Sequence, residues 1–212
     1  MKIDISNLYK IQLVSQSPRR KEILSKMYKD VIVVDIPFDE KVPVGMDVEL
    51  VAAFLAEQKM ANFLQSKLRK QERIITADTI VCYPKEGKIL GKPKNIAEAR
   101  EMLLYHYGKE HLVVTSVCYV DTIKNSQRII TDKARVIFKS ASEIPEEALT
   151  DYLSQLPPKG PMDKAGAYGI QEEQVYMHMI ADVKGDINTV IGFPLEKFIS
   201  VVINGSSRDM NA

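Results

Sequence analysis

Leu13-Val14-Ser15-Gln16-Ser17-Pro18-Arg19-Arg20-Lys21-Glu22-Ile23-Leu24 reads as the end of a strand, a tight turn and the start of a helix. The apolar run Ile11 to Val14 stops at hydroxyl residues. Ser17 is a natural N-cap, and Pro18 stands at the first helical position, where its fixed φ suits a helix start and its missing N–H would have had no partner. Ile23, Leu24 and Met27 supply the apolar stripe of the next turns. A strand that turns directly into a helix is a unit of mixed α and β architecture, and the rest of the chain is read outward from it.

The same turn puts two adjacent guanidinium groups at the positive end of a helix. Free backbone N–H groups and two arginine forks at one place suit a highly anionic ligand, above all a polyphosphate. The plain alternative is a solvated first turn carrying Arg19, Arg20 and Lys21. Cations are slightly disfavoured at a helix N-terminus, so three together need a counter-anion or water.

Composition narrows the partners. With a formal net charge of +1 over 212 residues, no overall field draws the chain to nucleic acid or to a membrane surface, so any anion site must be local. The start of the chain lacks the apolar core of a signal peptide, and no run is long enough to span a bilayer. Cys82 and Cys118 both sit in apolar, strand-like runs and read as buried thiols rather than a disulfide. A cytoplasmic location is expected.

Downstream, residues 30–36 suit a buried strand that Pro37 ends, and Glu40 follows in a loop that is either surface or the wall of a cleft. Asp47 caps a long helix expected to run to about Lys70 on a stripe of Leu50, Phe54, Ala61, Leu64 and Leu68. Lys59 falls near the edge of that stripe, where a lysine is usually just solvated. Residues 73–83 form an apolar strand interrupted by Asp78 and its neighbouring threonines. A carboxylate there is costly to bury unpaired, so Asp78 either has a cation or metal beside it or stands in solvent at a strand end. A hairpin over 84–91 follows, then a helix capped by Asn95. Gly87 to Pro93 is not a P-loop: the spacing is one residue short and Pro93 replaces the hydroxyl residue.

Strands are expected over 112–120 and 128–138, and an amphipathic helix over 143–156. A stiff loop, 157–163, delivers Lys164-Ala165-Gly166-Ala167-Tyr168-Gly169-Ile170-Gln171, whose glycines let backbone approach a ligand. Residues 175–183 read as a strand, Lys184 to Asp186 as a turn, and Pro194 opens a last helix stopped by Gly205. The three histidines, His106, His111 and His178, match no zinc spacing. Strands and helices in rough alternation give an α/β or α+β architecture. The expected form is α/β: an elongated, twisted mixed sheet flanked by helices, with two lobes and a central cleft. It makes a single domain over 1–212, with its core at about 10–203 and a frayed tail over 206–212.

Several segments now fall into a pattern. Ser15-Gln16-Ser17-Pro18-Arg19-Arg20, Ala77-Asp78-Thr79-Ile80-Val81, Gly91-Lys92-Pro93, Lys164 to Gln171, and Ile191-Gly192-Phe193-Pro194-Leu195 together resemble the Maf family of nucleoside triphosphate pyrophosphatases over nearly the whole chain. The resemblance implies cleavage between the α and β phosphates to a monophosphate and pyrophosphate, a divalent cation (Mg²⁺ or Mn²⁺), a cytoplasmic location and a homodimer. The Tyr168 and Ile170-Gln171 segment is similar to the branch acting on dTTP and UTP. By resemblance, Asp78 is the catalytic acid, and Arg19, Thr79 and Gln171 match specificity positions. Ser15, Arg20, Glu40, Lys59, Lys92 and Lys164 match further cleft positions. Gln16, Tyr105 to Gly108, Gly185 to Asn188 and Phe193 depart from the family pattern without removing a polar group the chemistry needs.

The residues then make joint sense. Arg19, Arg20, Lys59 and Lys92 would neutralise a triphosphate, while Glu40 and Asp78 offer oxygen ligands suited to magnesium. Gln171 offers donor and acceptor to the O4/N3–H edge shared by uracil and thymine. Tyr168 either stacks on the base or packs in the core. A rival reading keeps the cationic cleft but removes the chemistry: a nucleotide- or phosphate-binding regulator of cell division. Another is a sibling enzyme for inosine-type nucleotides.

Overall fold

The computed structural model of the chain describes residues 10–204. Gly205 and the tail over 206–212 lie outside the described residues. The first unit forms as expected: β1 (Ile11–Val14) turns at Ser15 to Ser17 into α1 (Pro18–Ser25). The Ser17 hydroxyl accepts from the Arg20 backbone N–H, which caps the helix. β2 (Val31–Val34) lies parallel to β1.

The expected long helix is shorter and faces a different way. Asp47 caps a single tight turn, Val48–Leu50, by accepting from Glu49 N–H, and α2 then covers only Val51–Leu64. Its buried residues are Val51, Ala52, Leu55, Ala56, Met60 and Phe63, whereas Leu50, Leu64 and Leu68 are exposed. The small residues Ala52 and Ala56 decide this. They let the helix axis come close to the sheet, and Leu55, Met60 and Phe63 fill the space around them. Each large side chain buried this way contributes about 2 kcal/mol. The correction matters for the site, because Lys59 flanks Met60 on the sheet-facing side rather than pointing into water.

β3 (Arg73–Tyr83) is the central strand, followed by a tight turn and β4 (Lys88–Leu90). α3 (Ile96–His106) is capped by Asn95, and β5 (Glu110–Asp121) and β6 (Ser126–Phe138) form a long hairpin. α4 spans Glu146–Ser154, with Leu156 left exposed beyond it. The strand expected over 175–183 is a correction. Residues Gln174–Met179 are helical, with Val175 and Met179 buried four residues apart, and only β7 (Ile180–Lys184) is extended. α5 (Ile187–Ile191), unforeseen because five residues show no periodicity, is capped by Asp186. α6 (Leu195–Phe198) follows Pro194.

Together the strands make one mixed sheet of seven, in the order β2-β1-β3-β5-β6-β7, with β4 also on β3. The site depends on how β3 is shared. β5 pairs with it from Arg73 to Cys82. On the other edge, β1 ends opposite Thr76, and β4 pairs only with Val81 to Tyr83. Residues 77–80 therefore have no strand on that side among the described residues. The sheet forks there. One arm carries β1, β2, α1, Phe193 and Phe198 around a core with Leu13 and Ile75. The other carries β4, α3 and α4 around Val81, Leu103, Leu149 and Tyr152. α2 covers the opposite face of the sheet along β3 and β5.

Candidate active site

The gap in the sheet edge opens into a cleft of about 800 Å³. Neighbouring strand residues face opposite sides, so Asp78 and Thr79 lie on the two sides of β3 at the gap. Asp78 is on the α2 side and only 8 % exposed. Lys59 reaches it from α2, with Nζ 2.5 Å from Asp78 Oδ1 and 2.8 Å from Glu40 Oε1. Burial pushes the Asp78 carboxyl above the usual carboxylate range, a rise that the Lys59 and Arg20 charges only partly offset.

Arg20 turns back from α1 into the gap, and each of its three guanidinium nitrogens makes a hydrogen bond. Nε donates to the Gly192 carbonyl (2.9 Å), one terminal N–H group to Ser15 Oγ (3.0 Å) and the other to Thr79 Oγ1 (2.9 Å). Gly192, at φ +119, ends α5 and aims that carbonyl, with its α-carbon so near Thr79 that a Cβ would stand 3.2 Å from Oγ1. Burial lowers the basicity of Arg20, and Asp78 opposes that shift. Arg19 lies on the cleft wall, paired there with Asp163 Oδ2 at 2.8 Å. Lys92 is exposed on the cleft wall, with no ion pair among the described residues.

A second, smaller pocket of about 50 Å³ adjoins the cleft, and Arg19, Thr79, Ala165 and Ile191 line both. Gln171 and Tyr168 border it. The Gly166 N–H donates to the Gly91 carbonyl (3.0 Å), so the 91–93 and 164–171 segments, far apart in sequence, are fastened together here.

With the geometry in place, comparison with known proteins decides the family. The family model for Maf-like proteins matches residues 10–204. The chain belongs to the Maf-like family. Among curated relatives, a dTTP/UTP pyrophosphatase of Bacteroides fragilis is 37% identical over 190 residues, covering 89% of this chain and 92% of its own length. One of the same name from Porphyromonas gingivalis is 38% identical over 203 residues, covering 91% and 92%. Another, from Flavobacterium johnsoniae, is 35% identical, covering 89% and 91%.

Around the Maf-like cleft the structure gathers Ser15, Arg19, Arg20, Glu40, Lys59, Asp78, Thr79 and Lys92, with Gln171 at the adjoining pocket. Lys164 is different. Its stem borders the small pocket, but its ammonium is buried and bound by the carbonyls of Pro158, Lys159 and Gly160 and by Asp163 Oδ1. Three N–H groups with four partners leave nothing for a ligand. Lys164 instead ties down the 157–163 loop and presents Asp163 to Arg19. Tyr168 is also a core residue here, packed edge-on to His106, His111 and Phe138 with its hydroxyl 2.8 Å from His111 Nε2.

Do the residues fit a divalent cation? Glu40 and Asp78 both reach one point, now held by the Lys59 ammonium. No group of three or more His, Cys, Asp or Glu side chains among the described residues is arranged to hold a metal. A pair of carboxylates that leaves the remaining positions to phosphate oxygens and water is how magnesium is usually bound, so the pair fits.

The sequence missed the histidine cluster. His106 and His111, which match no zinc spacing, lie with ring centroids 4.4 Å apart in the core. His106 Nε2–H donates to the Gly166 carbonyl (2.9 Å), so its Nδ1 must accept from the Tyr83 hydroxyl (2.7 Å). Periodicity cannot reveal such a pair, because one residue ends a helix and the other begins a strand. Burial lowers the His106 pKa to about 4 and that of His111 well below its usual value. An unfolded histidine titrates near 6.5, so the unfolded chain takes up protons first as pH falls. The stability His106 contributes is complete above about pH 6.5 and is lost as pH drops towards about 4. At pH 5 the loss from His106 alone is about 2 kcal/mol. Urea-unfolding midpoints between pH 7 and 5 should show this fall, and it should flatten in His106→Gln. An equal slope in both proteins contradicts it.

Proposed function

We propose that this Maf-like protein hydrolyses nucleoside triphosphates, dTTP and UTP foremost, to the monophosphate and pyrophosphate. One observation carries the reading: at the unpaired stretch of β3, a cationic rim formed by Arg19, Lys59 and Lys92 meets the carboxylates Asp78 and Glu40, beside a pocket bordered by Gln171. Plain anion capture has no use for a buried carboxylate. The names of the relatives point the same way.

In this reading the polyphosphate lies along the cleft and the polar edge of the base faces the small pocket. Water attacks the α-phosphorus in line, the bridging bond to the β-phosphate breaks, and pyrophosphate leaves. Asp78 orients that water and takes its proton. Lys59 and Lys92 meet the charge gathering on the leaving group. A magnesium or manganese ion held by Asp78 and Glu40 would add charge at the phosphates and acidify water. Gln171 and Thr79 meet the polar edge of the base. Lys164 serves here by fixing the loop rather than by touching substrate. The protein is expected to work in the cytoplasm as a homodimer. No helix among the described residues is long and apolar enough to cross a membrane.

A panel of nucleoside triphosphates scored for pyrophosphate tests this. UTP and dTTP should be turned over with magnesium present, CTP at least about 10²-fold less efficiently, and chelation should abolish all activity. Nucleotide binding without pyrophosphate from any member would favour the regulator instead, and a preference for ITP would point to the sibling enzyme.

A further inference from the structure

Thr79 is not free to choose between donating and accepting. Arg20 carries only donors, so its N–H must donate to Thr79 Oγ1. At the far end, Thr115 Oγ1 lies 2.7 Å from the Thr189 carbonyl, which can only accept, so the Thr115 proton is committed there. Thr79 and Thr115 hydroxyls are 3.0 Å apart. With the Thr115 proton already spent, that contact can only be Thr79 donating to Thr115. The Thr79 hydroxyl therefore keeps one lone pair and no proton for a ligand.

We propose that Thr115, fully buried in β5 beside Thr79, is a positioning residue that sets base selectivity by locking Thr79 as an acceptor. Thr79 lines both the cleft and the small pocket, and the ligand group that meets it must be a hydrogen-bond donor. Among pyrimidines, the ring N3–H of uracil and thymine is a donor, whereas N3 of cytosine is an acceptor. Gln171 cannot supply this discrimination alone: no partner among the described residues holds its amide, which can rotate to present either pattern. Thr115 itself never touches the base. The claim deepens the proposed reaction and rests on it.

The test is kcat/KM for UTP and CTP in wild type, Thr115→Val and Thr115→Ser. Valine keeps the shape of the side chain but removes the acceptor that takes the Thr79 proton, so Thr79 can turn its O–H to the ligand. The UTP-over-CTP ratio should fall at least about tenfold in Thr115→Val and return in Thr115→Ser. A residue that matters only for packing would lower both rates together, and an unchanged ratio overturns the proposal. Should Thr115→Val fail to fold, Thr79→Val gives an independent reading. It must lose UTP turnover more than CTP turnover, and equal losses also overturn the proposal. If wild type releases no pyrophosphate from UTP, the proposed reaction itself has failed, a result distinct from a wild-type enzyme whose variants keep their selectivity.

Discussion

Asp78→Asn should lose about 10³-fold or more in kcat while melting no lower than wild type. The two halves of this result have one cause. Asp78 is nearly buried in the middle of a strand, and its burial outweighs the help of Lys59 and Arg20, so its charged form is disfavoured in the folded protein. For a carboxyl whose pKa is raised on folding, the stability deficit appears as pH rises through the ordinary carboxylate range and is complete once pH exceeds the folded-state pKa. Asparagine removes that cost and still accepts from Lys59. It removes the proton acceptor and one oxygen ligand as well. Protonation of Asp78 should give the wild-type pH–rate profile an acid limb that the variant lacks. Pyrophosphate release, thermal melting and that limb can be measured on one preparation. Activity within tenfold of wild type would remove Asp78 from the chemistry, and a lower melting temperature would show that the Lys59 pair outweighs the burial.

Arg20→Lys should be the most damaging conservative change, costing about 3 kcal/mol of stability and about 10²-fold in kcat/KM. Arg20 holds three acceptors in three directions with one rigid fork: Gly192 O on the last loop, Ser15 Oγ on the first, and Thr79 Oγ1 on the central strand. A lysine ammonium is a point on a flexible stem and cannot reach all three with a fixed geometry. The acceptors left behind are partly buried, and the β1–α1 turn loses its anchor to β3. In a protein of this size that corresponds to a fall of about 10 °C in melting temperature. Chemical denaturation and steady-state kinetics read the two effects separately. Full stability together with lost activity would make Arg20 a phosphate ligand alone rather than the post on which the site is assembled.

The local structure of the site was legible early. The Ser17-Pro18 helix start, the strand through Asp78, the hairpin after it and the Asn95 cap each rest on neighbours within a few residues, and all formed where expected. The candidate cleft residues carry charges out of place for their elements, which is why Asp78 and the paired arginines stood out. Elements whose signal depends on what packs against them were misjudged. The face of α2 was taken from its leucines and settled by its alanines, and residues 174–179 have strand-like composition but curl into a helix over the α4 core.

By itself, then, the sequence determined the kinds of element, the family pattern and the charges brought to the cleft, because caps, proline positions and motif spacings act over short stretches of chain. Only the tertiary structure decided what each polar group can still do. It committed the Lys164 ammonium to its own loop, set Lys59 between two carboxylates, joined His106 to His111 and fixed the direction of the hydroxyl chain through Thr79. The reason is that hydrogen-bond capacity is finite and is taken up by partners up to 172 residues away. No local pattern in the chain records those assignments.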